Sequence, residues 1–376
     1  MSGPAIGRRS ALAAGLALPF TRPAFAQQGE PYVMGSLFPM SGPNAEFGEA
    51  FTRGAQVAIA HINADNMLRR PVRLQSEDSQ ALPQPSVVGM NKLINIDHVS
   101  WVLSSWTATS KAIAPIGDRA KTIMVNGGAV GPDLSGLSPY FWNVIALAHL
   151  EVQAMVPFLV NQRSAKRIAL IYVDDPLGDA ILGQLREQLP RNGGTLAGSF
   201  SVPRAAQQFG SVVARVRQAR PDAVYIASFG AQQAQIVKAL RDNGVTQIIC
   251  SYSGFGLDSI RTLPEAEGVL FTSQKLDFES GDPVTKRFAA DYQARFGQAP
   301  VVYHANYYNA AYLFGILGKQ VEQGGGEVNG DTLRAAMLAT RKFNLVGGQG
   351  EFDEHGNMLT QLQVNEVRGQ RVIAVG

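Results

Sequence analysis

The chain has 376 residues, is 45% hydrophobic and 17% charged, and carries a formal net charge of +3. A fully disordered chain is excluded by that apolar content. Length alone calls for two domains, since one hydrophobic core rarely serves more than about 250 to 300 residues.

Arg8-Arg9 precede an apolar run from Ala11 to Phe20 and the small-residue site Ala24-Phe25-Ala26, the pattern of an export signal over residues 1–26. The pair of arginines fits a twin-arginine signal, and the general secretory route also accepts it. The run is too short to span a bilayer, which takes about 20 apolar residues. Cleavage near Gln27 removes Arg8, Arg9 and Arg22 and no acid, leaving equal numbers of basic and acidic residues. The basic excess that would invite a nucleic-acid or membrane partner is therefore discarded, and the exported protein is expected in the periplasm, not membrane-spanning and monomeric.

Past the signal, short apolar runs alternate with stretches of helical period, the pattern of parallel sheets flanked by helices. The runs predict strands at 32–38, 71–77, 100–104, 122–126, 167–173, 195–201, 222–228, 247–251 and 268–272. Between them, helix 49–64 puts Phe51, Ala55, Ala58, Ile59 and Ile62 on one face, helix 178–190 does so with Ile181, Leu182, Leu185 and Leu189, and helix 231–243 with Ile236, Val237 and Leu240. A further helix is expected over 110–121. The alternation restarts at Lys166-Arg167 after the aromatic Tyr140-Phe141-Trp142, which places a first interdomain crossing there. Runs 359–366 and 371–375, turned at Arg368-Gly369-Gln370, predict a terminal hairpin. Cys250, the only cysteine, lies in an apolar run and reads as a buried structural thiol. The five histidines show no zinc-ligand spacing, and Tyr303-His304 reads as a packing pair on a helix face.

Several motifs, in order, carry a resemblance. Tyr32 to Phe38 is followed by Pro39-Met40-Ser41-Gly42, Gly48, Gly54, Ala58 and Ile62-Asn63. Then come Glu77-Asp78, Ser104 to Ser110, Tyr172-Val173-Asp174-Asp175 with Gly178, Gly268, Tyr303 to Tyr312, and Gly347-Gly348 to Phe352-Asp353 with Gly356. Together they resemble the Leu/Ile/Val-binding protein family, the receptors of ABC importers for branched-chain amino acids and amides. The resemblance implies a type I periplasmic binding protein: an α/β fold of two doubly wound, Rossmann-like lobes joined by three crossings. Lobe 1 would take 27–145 with about 275–342, and lobe 2 about 146–274 with 343–376. It also implies a small-molecule solute, an ABC permease as partner, no cofactor or metal and no catalysis.

In open α/β sheets ligands bind beyond the carboxyl ends of the strands. Ser41 follows the first strand and offers a hydroxyl to the cleft, or caps a local turn. Thr107, Thr109 and Ser110 lead into helix 110–121, whose unpaired first amides and dipole suit a ligand carboxylate, one hydroxyl serving as the N-cap. Trp106 offers an apolar wall or packs between strands. Gly128 lets backbone approach a ligand, and Val130 falls where amino-acid binders of the family commonly place threonine. In the second lobe Leu177 stands where many relatives have tyrosine, Phe229 and Tyr252 follow strands, and the family's ammonium-binding acid would fall near Ser253. A buried ammonium without a partner costs several kcal/mol. A carboxylate or amide with a hydrophobic or aromatic body therefore suits these residues better than an α-amino acid. Asp174 or Asp175 could hold an amino group or cap helix 178–190.

Two other classes compete. A ligand-sensing subunit acting through a partner receptor would share fold and cleft. A secreted α/β enzyme has weak support: Gly254-Phe255-Gly256-Leu257-Asp258-Ser259 misses the dinucleotide fingerprint at its third glycine, and no nucleophile elbow or phosphate loop occurs.

Overall fold

The computed structural model describes residues 29–376; the expected export signal and its cleavage site lie outside them. The first unit runs through β1 (Tyr32–Phe38), α1 (Ala45–Ala64), β2 (Val72–Asp78), α2 (Pro83–Asn95), β3 (Trp101–Ser104), α3 (Thr107–Ala120), β4 (Ile123–Asn126) and β5 (Phe141–Asn143). Its five strands are all parallel, in the order β2-β1-β3-β4-β5. Strands β3, β4 and β5 are buried at every position, which is why the first two stand out in the sequence as short apolar runs.

The second unit repeats the plan with α4 (Ala148–Pro157), β6 (Arg167–Val173), α5 (Pro176–Arg191), β7 (Thr195–Val202), α6 (Gly210–Ala219), β8 (Ala223–Ala227), α7 (Gly230–Asp242), β9 (Ile248–Ser251), the short α8 (Asp258–Arg261) and β10 (Leu270–Gln274). Its parallel strands follow the order β7-β6-β8-β9-β10, the same winding as the first sheet. Both sheets thus reverse direction at one point, between β1 and β3 in the first and between β6 and β8 in the second. A crevice opens at the carboxyl ends of those strands.

The chain then returns. Helices α9 (Pro283–Phe296), α10 (Val302–Gln323) and α11 (Gly330–Thr340) pack on the first unit, α10 against α1 and β3, and α11 against β4. Asp282 caps α9 by accepting from the Thr285 amide at 2.8 Å, Pro283 occupies its first position, and Gly297 ends it at φ 73°. Strands β11 (Lys342–Leu345), β12 (Gly348–Phe352) and β13 (Met358–Leu359) form a small antiparallel sheet of their own. It sits beside the first unit: Asn143 bridges Asn357, Phe352 packs on Trp142, and Asn309 of α10 bonds the backbone of Val346. Only β14 (Leu362–Arg368) and β15 (Arg371–Ala374) join the second sheet, as an antiparallel hairpin on β10. The chain therefore passes between the two sheets at 144–147, 275–282 and 360–361. Residues 343–359, expected in the second lobe from the family resemblance, pack with the first.

Strands and hairpin lie within two or three residues of their sequence-based positions. Strand β5 has only three residues and is hidden in the aromatic run 140–142. Helix α3 begins at Thr107 rather than at residue 110, because Trp106 takes φ 61° and ψ 133° and its carbonyl already accepts from the Ser110 amide at 2.9 Å.

Candidate functional site

The loops after β3, β4, β6, β8 and β9 converge with the start of α1 and the start of α10 around one cavity. It is narrow, and Phe47, Trp106, Thr107, Gly128, Ala129, Val130, Asp175, Leu177, Phe229, Tyr252 and Tyr303 line it. The two units meet across it. Trp106 packs edge-on to Phe47 at 5.3 Å between ring centroids, Phe47 edge-on to Tyr303 at 5.5 Å, and Trp106 reaches Phe229 of the second unit at 5.9 Å. Ser259 bonds the Glu46 carboxylate, and Arg204 donates to the Ala81 carbonyl at 3.3 Å, so the cleft stands closed.

Polar groups in this aromatic shell are few. Trp106 lines the cavity, is 7% exposed, and its indole Nε1–H is a buried donor with no partner. A bulky residue at positive φ is a backbone outlier that costs about 1 to 3 kcal/mol and persists where its surroundings hold it. The Thr107 hydroxyl accepts from the Gly131 amide at 3.1 Å, which leaves its own O–H to donate. No side chain caps α3, so the expected N-cap hydroxyl is absent: Trp106 holds that position. The first amides of the helix are left for whatever enters the cavity. Asp175 caps α5 by accepting from the Leu177 amide at 2.8 Å, and burial raises its carboxyl. The Tyr252 hydroxyl donates to the Ser228 carbonyl at 2.9 Å and so turns its ring, not its oxygen, to the site.

Of the residues singled out from the sequence, Trp106, Thr107, Gly128, Val130, Leu177, Phe229 and Tyr252 are brought together around the cavity. Four are not. Ser41 is exposed and donates to Asp78 at 2.5 Å. Thr109 is buried in α3 and donates back to the carbonyls of Ser105 and Trp106, the local competition that draws helix hydroxyls away from ligands. Ser110 lies beneath the loop, 3.5 Å from Ser104 Oγ. Ser253 donates its hydroxyl and its amide to the two oxygens of Glu151, each at 2.7 Å. At Gly128 the amide is held by Asn126 Oδ1 at 3.1 Å, and a Cβ there would lie 2.8 Å from the Phe51 ring and from the Tyr307 hydroxyl, so packing alone requires glycine.

Sequence reasoning missed Phe47 and Ala129, and read Tyr303 as packing. It also missed Glu151, which lies 1% exposed behind the second-unit wall and accepts a third bond from Thr272 Oγ1 at 2.7 Å. Burial pushes this carboxyl up to about 7, against the opposing pull of the donors on Ser253 and Thr272. Cys250 is buried and its thiol raised by burial; His304 is driven down to about 3 for the same reason. Among the described residues no three His, Cys, Asp or Glu side chains converge as a metal site, and no helix is long and apolar enough to cross a membrane.

Two doubly wound units closing on an interposed cavity define the type I periplasmic binding fold. Residues 31–371 match the family model for periplasmic binding protein, and the chain belongs to that family. An amino acid binding protein of Pseudomonas aeruginosa is 25% identical over 342 residues, covering 87% of each chain. Among solved structures, a leucine binding protein from Thermotoga maritima superposes with a TM-score of 0.82 at 22% identity, over 92% of this chain and 98% of its own. An ABC transporter solute binding protein from R. palustris in complex with benzoate does so with a TM-score of 0.84 at 17% identity, over 92% and 96%.

Proposed function

We propose that this protein is the periplasmic solute-binding component of an ABC importer, and that its solute is a small carboxylate with an aromatic or apolar body. The observation that carries the ligand class is the unpartnered Trp106 Nε1–H beside the uncapped start of α3, in a cavity otherwise walled by Phe47, Phe229, Tyr252, Tyr303, Leu177 and Val130. Donors at one end and rings around the body fit an aryl carboxylate without any arginine. The benzoate held by one structural neighbour is in keeping with this. The lobes hinge at the three crossings, and ligand contacts from both sides shift an open and closed equilibrium toward the closed form, which a membrane permease then receives.

A branched or aromatic amino acid is the second reading, favoured by Asp175, an acid among the residues that line the cavity, which could pair an ammonium. Calorimetry on unfolded and refolded protein separates the two. Benzoate or a relative is expected to bind at least tenfold more tightly than leucine, isoleucine or valine. Tight leucine binding with no response to aryl carboxylates establishes the amino-acid reading instead.

A further inference from the structure

Ser259 stands where the dinucleotide fingerprint would need its third glycine, and it does not line the cavity. It lies in the short α8 of the second unit. Its hydroxyl and its amide both donate to the carboxylate of Glu46 in the first turn of α1, the amide at 3.4 Å. Glu46 directly precedes Phe47, which lines the cavity, so this bond joins the two units beside the cavity while contributing no group to it. A second bond between the units runs from Arg204 Nη2 to the Ala81 carbonyl at 3.3 Å. Glu46, Ser259 and Arg204 are all exposed.

Both sides of the second bond are fastened from behind. The loop between β7 and α6 is gathered by Gln232 of α7, whose Nε2 donates to the carbonyls of Pro203, Arg204 and Ala206 at 2.9, 3.2 and 3.2 Å, while its Oε1 accepts from Ser228 at 2.7 Å. Across the cleft, Gln80 and Ala81 take φ of 50° and 55°, two consecutive left-handed residues without a glycine, a strained turn that its surroundings must hold. Asp78 holds it, accepting from the Gln80 amide at 2.9 Å, the Met40 amide at 2.8 Å and the Ser41 hydroxyl. Topology gives this bond leverage. Strands β2 and β7 are the outermost parallel strands of their sheets, whereas the crossings leave from the ends of β5 and β10, on the opposite side of each. A bond between the loops after β2 and β7 therefore opposes opening with the longest arm.

We propose that Arg204 on Ala81 and Ser259 on Glu46 are two clasps that hold the cleft shut, setting how much of the closed form exists and how long a captured solute stays, whatever its chemistry. The inference rests on the closing receptor described above. A solute held by both units binds the closed form, so a lost clasp lowers the closed population and weakens every solute by the same factor. Each bond is exposed and exchanges readily with water. Its loss therefore costs a modest factor in affinity, about threefold to tenfold, expressed chiefly in faster release.

The test is calorimetry with stopped-flow dissociation on Arg204→Met, Ser259→Ala, Glu46→Ala and the double variant of the last two. The probes are benzoate with phenylacetate or, where those do not bind, leucine with isoleucine. Arg204→Met and Ser259→Ala are each expected to weaken both members of a probe pair by one common factor of about threefold to tenfold, with the thermal midpoint of the ligand-free protein within a few degrees. Glu46→Ala combined with Ser259→Ala is expected to lose no more than the weaker-binding single variant, because the two residues share one contact. Unchanged affinity in Arg204→Met or in Ser259→Ala overturns the proposal. A loss confined to one member of the pair also overturns it, since the altered residue is then a solute contact. If no probe of either class binds, the reading of the site fails by itself. The clasps are then read on the ligand-free protein by small-angle scattering: the chain carrying both Arg204→Met and Ser259→Ala is expected to show a larger radius than the unaltered one, and equal radii overturn the proposal.

Discussion

Trp106 holds an unusual combination of properties: a positive φ, burial, aromatic contacts to both units, and a ring nitrogen with nothing to donate to. Leaving such a donor unmet costs about 1 to 3 kcal/mol, and a ligand acceptor recovers it. Trp106→Phe keeps most of the packing and removes the N–H. It is expected to weaken aryl carboxylate binding by about 0.5 to 3 kcal/mol in calorimetry while the thermal midpoint stays within a few degrees. Thr109→Ala, whose hydroxyl only serves backbone carbonyls, is expected to leave affinity nearly unchanged.

Asp175 offers a sharper discrimination between the two ligand readings, because its capping and its charge can be separated. Asp175→Asn keeps an oxygen for the Leu177 amide and removes the anion. Binding of an aryl carboxylate should be unchanged or stronger in this variant, and leucine binding, if it occurs, should fall by tenfold or more. Glu151 acts on stability. Its folded value of about 7 lies above its ordinary 4.5, so the folded state holds the proton more firmly than the unfolded chain. The associated stabilisation is complete below pH 4.5 and is lost as pH rises to about 7, by on the order of 3 kcal/mol at most. Thermal unfolding of Glu151→Gln is expected to lack this component of the pH profile.

At the level of elements, the buried parallel strands were legible because both faces of each strand are covered, which favours runs of three or more apolar residues. Strand β5 lacks the length for such a signal, and residues 342–359 look like a tail extension because their partners, Trp142 and Asn309, come from far up the chain. The site was half legible for a related reason. Loop positions after strands follow from topology, so Trp106, Leu177, Phe229 and Tyr252 could be named. Which hydroxyls face the ligand depends on local bonding, and Thr109, Ser110 and Ser253 are already committed elsewhere. Glu151 left no trace, since it meets Ser253 across 102 positions of chain. Gly128 shows the same limit: glycine was expected for ligand approach, and packing against the Phe51 ring and the Tyr307 hydroxyl also requires it. Gly128→Ala should cost about 1 to 3 kcal/mol in denaturant unfolding through overpacking of that loop.

At the scale of the whole molecule, neither unit is contiguous in sequence, and the second sheet is finished only by the last hairpin. Strand β10, buried throughout, pairs with β9 on one side and with β14 on the other over five register positions. The outermost strand, β15, is exposed along its whole length and flanked by Arg368 and Arg371, so the natural margin of the sheet is short and charged. Removing residues 362–376 would uncover Leu270 to Gln274 as a row of unmet amides and carbonyls, with Leu270 and Phe271 bearing apolar side chains. A chain shortened in this way is expected to self-associate into β-rich aggregates, visible as thioflavin fluorescence, even though every residue lining the cavity is still present.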